Sequence, residues 1–301
     1  MDTLSQLLSL YPIRTALDIR CHFNAPWLLD HPGQPNGVAP YHVIVRGTAM
    51  IEGDVGPPLQ AGDIVVFPHG AAHRLHIGDP AAASPMHSQQ GLLNYKANDG
   101  AGPATDILCG EFHFDTEGGA GLLAALPAML VVRTADRADA QGLRHLIAIL
   151  QTEAEAPRAG SEAIVRQLAS ALFALLIRAW LEQALAVPGL FAVLAERRLQ
   201  AALNGMLAEP QRAWSLEDLA ELCHMSRATF ARLFKKAAGA TPADVLAQLR
   251  MAQAARLLEG GKQAAGDVAE AVGYQSEAAF NRAFKRQYGV GPGAYRRRAP
   301  Q

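Results

Sequence analysis

Two cysteines and two histidines in the first half of the chain carry side chains capable of redox or metal chemistry. Cys21, His42, His73 and Cys109 each fall on or beside a predicted strand, so all four can reach one end of a barrel. Two thiolates and two imidazoles form a closed tetrahedral zinc set, although ligands scattered this widely are less specific than paired C-x-x-C motifs. A second interpretation is that Cys21 and Cys109 oxidise to a disulfide or a sulfenic acid, which would also eject a metal. A third is that the cysteines are ordinary buried residues and that His73 is retained for barrel structure.

The histidines bear on how reactive these thiols are. The thiolate is the reactive form of cysteine, and a positively charged neighbour lowers the pKa of a thiol. We therefore expect His22, His42 or His73 to hold the pKa of a nearby thiol low. The chain has three cysteines, too few and too odd a number for a disulfide scaffold. The third, Cys223, takes an apolar helical position and is expected in the core.

A second set of residues recurs at an interval of 50 positions in the last third of the chain. The first copy has Ser226, Ala228, Phe230, Arg232, Phe234, Lys235, Gly239 and Pro242, and the second has Ser276, Ala278, Phe280, Arg282, Phe284, Lys285, Gly289 and Pro292. Identities in register over this span indicate a duplication. Each copy is typical of a short helix, a tight turn, a serine cap and a second helix that ends at glycine. This is a helix-turn-helix arrangement, whose second helix enters the major groove of DNA.

The two phenylalanines of each second helix lie four residues apart and point inward, which leaves the opposite face for DNA. The residues predicted to contact DNA are Arg227, Ala228, Ala231, Arg232 and Lys235 in the first copy and Glu277, Ala278, Ala279, Asn281, Arg282 and Lys285 in the second. Lysine and arginine contact phosphates, whereas arginine, asparagine and small side chains read base edges. The alanines offer no hydrogen bond, so part of the specificity is expected from thymine methyl contacts or DNA shape. A helix over 243–258 can hold the two recognition helices at a fixed separation, which matters because adjacent major grooves lie roughly 34 Å apart.

The charge distribution agrees with this division of the chain. The net charge is −1, but residues 1–199 hold 13 basic and 19 acidic side chains, and residues 200–301 hold 14 and 9. The two parts therefore carry about −6 and +5, an asymmetry that suggests a polyanion-binding module joined to another domain. A helical bundle whose basic residues are merely solvated is the alternative, and the duplicated motif disfavours it.

Short apolar runs between glycine, proline and aspartate predict a small β-barrel or sandwich in the first part of the chain. The predicted strands cover 41–45, 48–52, 63–67 and 106–114. The stretch 79–104 is rich in proline, alanine, serine, glycine and asparagine, and we expect a mobile excursion between two strands there.

Helices are predicted after residue 132. Apolar spacing of three and four at Leu143, Leu146, Ile147 and Leu150 indicates the first helix, and 161–186 the second, which Pro188-Gly189 ends. The second helix has an apolar stripe of Ile164, Leu168, Leu172, Leu175, Leu176 and Trp180. That stripe fits packing on its own barrel and a dimer interface equally well. Its apolar run is shorter than the ~20 residues that span a bilayer, and no signal peptide precedes it, so we expect a cytoplasmic protein.

The helical part resembles a known family of DNA-binding domains. The run from Trp214 to Ala220, the run 226–234 and the closing pattern from Gly273 to Arg296 look like the DNA-binding domain of AraC/XylS transcriptional regulators, over about residues 194–298. The resemblance implies two recognition helices in successive grooves, σ70-type RNA polymerase as a partner and, usually, activation. By motif position it implies groove-facing roles for Ala228, Ala231, Arg232, Glu277, Ala278, Ala279 and Arg282.

The first part resembles cupin barrels. Gly62-(five residues)-Pro68-x-Gly70-x-x-His73 looks like the second cupin motif, in which the histidine points into the barrel mouth. The first cupin motif normally supplies His-x-His and a glutamate, but here it has one histidine, His42, with Glu52 ten residues later. The metal set of a cupin dioxygenase is thus incomplete, which argues against an enzyme.

Residues 1 to about 180 are also similar to the cupin-type sensor domain of a smaller AraC subgroup that includes activators responsive to reactive chlorine. Features that carry the similarity are Cys21, Trp27, His42, the 62–75 strand and turn, Cys109-Gly110 and Arg178-x-Trp180. In that group a cysteine pair matching Cys21 and Cys109 is implicated in oxidant sensing. The insertion at 79–104 departs from the pattern.

The sequence therefore predicts an α+β chain, with a cupin-like barrel and helical layer over 1–189 and an all-α double helix-turn-helix domain over 190–301. The predicted function is a sequence-specific activator that senses oxidant through Cys21 and Cys109, with zinc as a candidate ligand of Cys21, His42, His73 and Cys109. Expected partners are promoter DNA, RNA polymerase and a second copy of the chain. The alternatives are a regulator whose barrel binds a sugar or aromatic effector, and a cupin metalloenzyme fused to a DNA-binding module.

Overall fold

The computed structural model describes residues 2–11, 13–90, 94–114, 122–123, 125–135, 137–155, 158–184, 187, 189–261 and 263–298. The strands in this part of the chain are β1 Ile13–Asn24, β2 Trp27–His31, β3 Val38–Arg46, β4 Thr48–Ile51, β5 Leu59–Gln60, β6 Ile64–Val66, β7 His73–Ile77, β8 Met86–Gln89, β9 Asn94–Asn98, β10 Ala104–Phe114 and β11 Leu130–Val132. The helices are α1 Thr3–Leu10, α2 Gln141–Glu155, α3 Ser161–Gln183, α4 Gly189–Ala195, α5 Gln200–Ala208, α6 Leu216–Leu222, α7 Arg227–Ala238, α8 Pro242–Glu259, α9 Ala265–Ala271, α10 Glu277–Tyr288 and α11 Pro292–Arg298. The predicted α+β class is confirmed.

The described residues form two compact units. The barrel unit comprises Ile13–Phe114 and Pro127–Ala184, and the helical unit comprises the described residues within 1–12, 115–126 and 185–301. The predicted domain limit between 189 and 190 stays a prediction.

The barrel unit is built from two sheets that share one core. A seven-stranded sheet has the order β11-β6-β3-β10-β1-β9-β8, and a four-stranded sheet has the order β2-β7-β4-β5. Apolar side chains from both sheets, such as Phe23, Trp27, Ile44 and Leu75, form a single buried cluster that also contains Cys21. Burial of side chains this large is the main force that holds the two sheets together.

The predicted excursion at 79–104 is wrong in part. Two strands lie within it, β8 and β9, and β9 pairs in parallel with β1 along 19–22. The reason is that Asn94–Asn98 completes the hydrogen bonds of an otherwise open edge of β1, a non-local partner that local composition does not reveal.

A helical layer covers the other face of the larger sheet. The ring of Phe173 on α3 meets Phe112 and Phe114 of β10 at centroid distances of 4.9 and 5.6 Å. The α2 residues predicted as apolar are all buried. The α3 stripe is divided, because Leu172, Leu176 and Trp180 are buried whereas Ile164 is 42% exposed. The C-terminal half of the stripe thus packs within its own unit, and the predicted dimer interface stays a prediction.

Helix α3 is unusually long and apolar for a helix of this chain. It spans 23 residues at a mean hydropathy of 1.6, and it alone among the described helices is long and apolar enough to cross a membrane. The expectation that the apolar run of α3 is too short to span a bilayer is therefore wrong on length and composition. Its inner face packs on β1 and α2, as the core helix of a barrel does.

The helical unit contains an element that the sequence analysis missed. Helix α1 lies against α5 and α8. Leu7 is fully buried there, and the amide of Gln6 donates to Asn204 at 3.2 Å. Tyr11, just after the helix, is buried, and burial raises its pKa to about 12. The N-terminal residues thus belong to the packing of the helical unit, although β1 follows them directly in the chain.

Candidate functional site

The first candidate site is the exposed face of α7. Phe230 and Phe234 are fully buried, as predicted, and Ser226 caps the helix by accepting a hydrogen bond from the Thr229 N–H at 3.3 Å. Gly239, with φ +69°, ends it in the left-handed conformation. The opposite face carries Arg227, Ala228, Arg232 and Lys235, all exposed, and Ala231, half-buried.

The second helix of the repeat, α10, is built in the same way. Phe280 and Phe284 are fully buried, Ser276 accepts from the Ala279 N–H at 3.2 Å, and Gly289 has φ +71°. Its outer face carries Glu277, Ala278, Arg282 and Lys285, all exposed, and Ala279 and Asn281, half-buried.

The turns of the two copies differ by one residue. The Met225 N–H donates to the Ala220 carbonyl and the Tyr274 N–H donates to the Ala269 carbonyl, both at 2.9 Å. The first helix of each copy therefore recurs after 49 positions, whereas the second helix recurs after 50. The left-handed residue of the first turn is His224, at φ +53°, and that of the second is Gly273, at φ +82°. The second recognition helix therefore follows a longer turn.

The cations on these two faces differ in how free they are. Arg227 lies 3.8 Å from Glu217, a pair in which both side chains are more than 60% exposed and which contributes little to stability. Within the described residues, Arg232, Lys235, Arg282 and Lys285 have no ion-pair partner. Unpaired, exposed cations beside a helix that fits the major groove are suited to phosphate contacts.

The second candidate site lies in the barrel core, where the two predicted redox cysteines meet. Cys21 on β1 is fully buried and Cys109 on β10 is 6% exposed. Their sulfurs are 3.9 Å apart, and both thiols are free. Cys21 is paired in register with Ile107, so it is a diagonal neighbour of Cys109 across the two strands.

The strand pairing around Cys109 has two special features. The register of β1 and β10 shifts between Leu17 and Ile19, so Asp18 is an extra residue that bulges from the ladder. At Gly110 an added Cβ would lie 2.1 Å from the Ala16 carbonyl oxygen and 2.5 Å from the Tyr41 hydroxyl. Glycine is therefore required beside Cys109 for close approach of backbone and ring.

A chain of hydrogen bonds leads from Cys109 to the edge of the core. His73 Nδ1 faces the Ala71 carbonyl at 2.8 Å, so this nitrogen carries the proton. In neutral His73 the Nε2 atom is then an acceptor, and His42 Nε2 donates to it at 2.7 Å. In neutral His42 the Nδ1 atom is left as the acceptor, and it lies 3.1 Å from Cys109 Sγ. Neutral rings thus fix Cys109 as a thiol that donates to His42.

Burial keeps both rings neutral. It lowers the pKa of His42 well below its ordinary value and that of His73 to about 4. The hydrogen bond with Cys21, together with burial, raises the pKa of Cys109 well above its ordinary value. The expectation of a low thiol pKa is therefore wrong for Cys109, because the neighbouring imidazoles are uncharged and do not stabilise a thiolate.

The four predicted zinc ligands are neighbours, but they do not surround a common point. His42 turns Nδ1 to Cys109 and Nε2 to His73, on opposite sides of one ring. One imidazole nitrogen binds one ion, so Cys109 and His73 cannot share a metal with His42 in this arrangement. Among the described residues no group of three or more potential ligands is placed to hold a metal ion. These residues, as they lie, do not fit zinc.

Two residues near this site were missed in the sequence. His31 stacks on His73 at a centroid distance of 4.8 Å, and Phe67 stacks on the other face at 3.6 Å. Lys96 on β9 is paired in register with Cys21, and its positive charge acts to lower the pKa values of Cys109 and His42. His31 lies on a strand that was not predicted, and Lys96 lies in the stretch expected to be an excursion.

Cys223 differs from its expectation. It is half-buried and forms the C-cap of α6, where burial raises its pKa. A residue at the end of a seven-residue helix is covered on one side only. The prediction that Cys223 lies in the core is therefore only partly met.

One chain thus combines a two-sheet barrel, which holds a buried cluster of cysteines and histidines, with a duplicated helix-turn-helix unit of the kind that binds DNA. Comparison with known proteins agrees. The cupin family matches residues 2–182, and the helix-turn-helix domain family matches residues 219–298.

Relatives of similar length cover the whole chain. The RCS-specific HTH-type transcriptional activator RclR of Escherichia coli (strain K12) is 32% identical over 305 residues, which are 100% of this chain and 99% of the relative. The HTH-type transcriptional regulator MtrA of Neisseria gonorrhoeae is 32% identical over 309 residues, which are 100% of both chains. Among solved structures, the DNA-binding domain of AdpA in complex with a target DNA is 33% identical, covers 33% of this chain and 89% of its own, and has a TM-score of 0.31. The chain belongs to the AraC-type DNA-binding transcriptional regulators that carry an N-terminal cupin domain.

Proposed function

We propose that this transcriptional regulator is an activator that responds to oxidants of the reactive chlorine type by joining Cys21 to Cys109. The observation that carries the proposal is the 3.9 Å separation of two free sulfurs on adjacent strands of a buried core. The name of the relative RclR, an RCS-specific activator, supports the same choice of signal.

The chemistry needs one equivalent of hypochlorous acid. A thiol sulfur attacks chlorine and the O–Cl bond breaks, giving a sulfenyl chloride and water. The second thiol then displaces chloride, so the S–S bond forms as S–Cl breaks and HCl leaves. Sulfur is oxidised by two electrons in total and chlorine is reduced by two. His42 Nδ1 is placed to accept the proton of Cys109 during attack.

A disulfide requires movement of β1 relative to β10. A sulfur–sulfur bond is about 2.05 Å long, so the thiols must approach by nearly half of their separation. The bulge at Asp18, three residues before Cys21, gives β1 an extra residue that can accommodate such a movement. The N-terminal end of β1 continues into α1, which packs on α5 and α8. We infer that displacement of β1 is transmitted through α1 to the helices that support the recognition helices α7 and α10. Oxidation would then shift the population between two conformational states of different stability.

The DNA face in this proposal consists of the predicted residues on α7 and α10, from Arg227 to Lys235 and from Glu277 to Lys285. RNA polymerase is the partner that activation requires. We also propose a homodimer through the outer stripe of α3, where Ile164 is 42% exposed, so that two half-sites are bound together. The proposed location is the cytoplasm, where these thiols stay reduced until the oxidant appears.

Transcription in a purified system tests the proposal. Hypochlorite is added to the protein with RNA polymerase and a promoter found by in vitro selection, and transcripts are counted. We expect Cys21→Ala and Cys109→Ala to abolish the increase in transcripts while DNA binding persists. Cys223→Ala is the matched control, since it removes a half-buried thiol outside the barrel and should respond as the unmodified protein does. An oxidant response that survives both barrel substitutions contradicts the redox proposal.

A second candidate function has one observation in its favour. A cleft of about 580 Å³ opens beside His73 and Phe67, within the size range of small-molecule sites. An effector bound there would act on the same histidine chain without covalent chemistry. Its response would survive Cys21→Ala and would be lost when the cleft is filled, for example by Ala72→Trp.

A further inference from the structure

A second cleft lies inside the DNA-reading half of the molecule. It has a volume of about 780 Å³ and is bounded by the start of α6, one side of α7, the first half of α8 and the turn of the second copy. Trp214 and Leu246 contribute apolar walls, and Gly273 closes the end that belongs to the second copy. The cleft therefore touches both copies of the helix-turn-helix unit, and its volume falls within the ~300–1,000 Å³ typical of small-molecule sites.

The charged side chains that line this cleft are both positive. Among the described residues that line it, Lys235 and Arg250 are charged and no carboxylate is present. The Lys235 ammonium has no hydrogen-bond or ion-pair partner in the described part of the chain. Arg250 uses Nε and Nη2 to donate to the carbonyls of Pro210 and Arg212, at 2.7 and 2.9 Å. Desolvation lowers the pKa of Arg250, so a neighbouring anion would be favoured there.

The walls of the cleft are held in place by contacts of their own. The Arg212 guanidinium stacks on the Trp214 ring at 4.0 Å from its centroid. At Gly273 a Cβ would lie 2.5 Å from the Gln211 carbonyl oxygen, so the second turn packs tightly on the same loop. These contacts and the two Arg250 hydrogen bonds preform the cleft, which lowers the ordering cost of a ligand.

We propose that this cleft binds an amphipathic organic anion, with a hydrophobic body about the size of two fused rings and one acidic group directed at Lys235, and that this anion excludes DNA. Exclusion rests on the proposed DNA face, because Ala231 and Lys235 belong both to that face and to the cleft. An anion that occupies Lys235 removes a phosphate contact and covers part of α7. The ligand would be a negative effector that acts on the reader itself, independently of the cysteines.

The probe is 2-naphthoate, titrated into the full-length reduced protein while the emission of Trp214 is followed in a background with Trp27 and Trp180 replaced by Phe. We expect saturable quenching. Ala247→Phe fills the cleft and should raise the half-saturating concentration at least tenfold. Gln248→Phe, on the next and exposed residue of α8, is the matched control and should stay within twofold. Ala243→Phe is a second filling variant at an exposed lining position, where the core is not disturbed.

A second arm measures DNA affinity by fluorescence anisotropy on a duplex obtained by in vitro selection. Saturating 2-naphthoate should weaken DNA binding at least fivefold in the unmodified protein and in Gln248→Phe, with no change in Ala247→Phe relative to the same variant without naphthoate. Quenching that does not saturate, or that both filling variants leave unchanged, overturns the site and leaves the proposed DNA function untouched. Saturable quenching without loss of DNA affinity overturns the exclusion and the placement of Lys235 at DNA.

Discussion

The substitution Gly110→Ala should destabilise the barrel unit and separate the two cysteines. A Cβ at this position would lie 2.1 Å from the Ala16 carbonyl oxygen and 2.7 Å from the Tyr41 Cζ. The Tyr41 hydroxyl donates to that same carbonyl at 2.9 Å, so the ring must move and the bond must break. Overpacking costs about 1–3 kcal/mol and a buried unpaired polar group about 1–3 kcal/mol. Together these two costs give an expected loss of about 2–6 kcal/mol.

The matched control is Gly142→Ala on α2, where an added Cβ meets nothing within 4 Å. Alanine is the better helix former, so this variant should gain about 0.5–1 kcal/mol. Urea unfolding is followed by the fluorescence of Trp27 and Trp180, which both belong to the barrel unit, with Trp214 replaced by Phe. Equal stability of the two variants, or a Gly110→Ala protein that unfolds at the same urea concentration as its parent, would refute the close-packed geometry around Cys109.

Three further predictions concern the pH dependence, the N-terminal helix and the DNA face. The pKa of His73 is about 4 in the folded protein and near 6.5 in the unfolded chain, so the unfolded chain binds a proton first and stability should fall as pH drops from about 6.5 to 4. The urea midpoint of His73→Gln should fall less over this range, and an equal fall in both proteins would contradict the lowered pKa of His73. Leu7→Ala should lower the stability of the helical unit by about 2–5 kcal/mol, measured by Trp214 fluorescence, whereas substitution of the fully exposed Val55 by Ala should leave stability unchanged. A Leu7→Ala protein of unchanged stability would mean that α1 does not pack on this unit. Arg282→Ala should weaken DNA binding by about 1–3 kcal/mol in anisotropy titrations, and Arg227→Ala should weaken it by less because Arg227 also pairs with Glu217. A larger loss at Arg227 than at Arg282 would contradict the expected difference between the paired and the unpaired cation.

The helical half could be read from the sequence because its signals are local. Ser226 and Ser276 cap their helices, and Gly239 and Gly289 end them, as the repeat predicts. Capping and helix termination depend on residues within one turn of the chain, so spacing alone is enough to find them. The one-residue difference between the two turns does not show in the offset of 50, because that offset is set by the second helices of the two copies.

The barrel was predicted only in outline, because its pairing is non-local. The sequence placed the strands of His42 and Cys109, but it did not place the strand of His31 or β9, the strand that brings Lys96 to Cys21. Residues 94–98 lie in a stretch of loop-like composition, and nothing in that composition indicates that they pair with β1. Helix α1 was missed for a similar reason, since its buried Leu7 finds its partners about 200 residues further along the chain.

The cluster around Cys109 shows what spacing can and cannot supply. The residue types pointed correctly to a group of neighbours, but their protonation depends on which nitrogen meets which partner. The Ala71 carbonyl sets the proton on His73, and that choice fixes His42 and Cys109 in turn. A carbonyl two residues before a histidine leaves no mark in the sequence, so the expected thiolate proved to be a thiol.

Mass spectrometry of the full-length protein, native and then after mild hypochlorite, tests the central proposal most directly. We expect an unoxidised native mass without zinc, followed after hypochlorite by a loss of two hydrogens. A proteolytic peptide should then link Cys21 to Cys109, and it should be absent after Cys109→Ala and present after Cys223→Ala. A protein that carries one zinc per chain, or one that hypochlorite oxidises without that linked peptide, would contradict it.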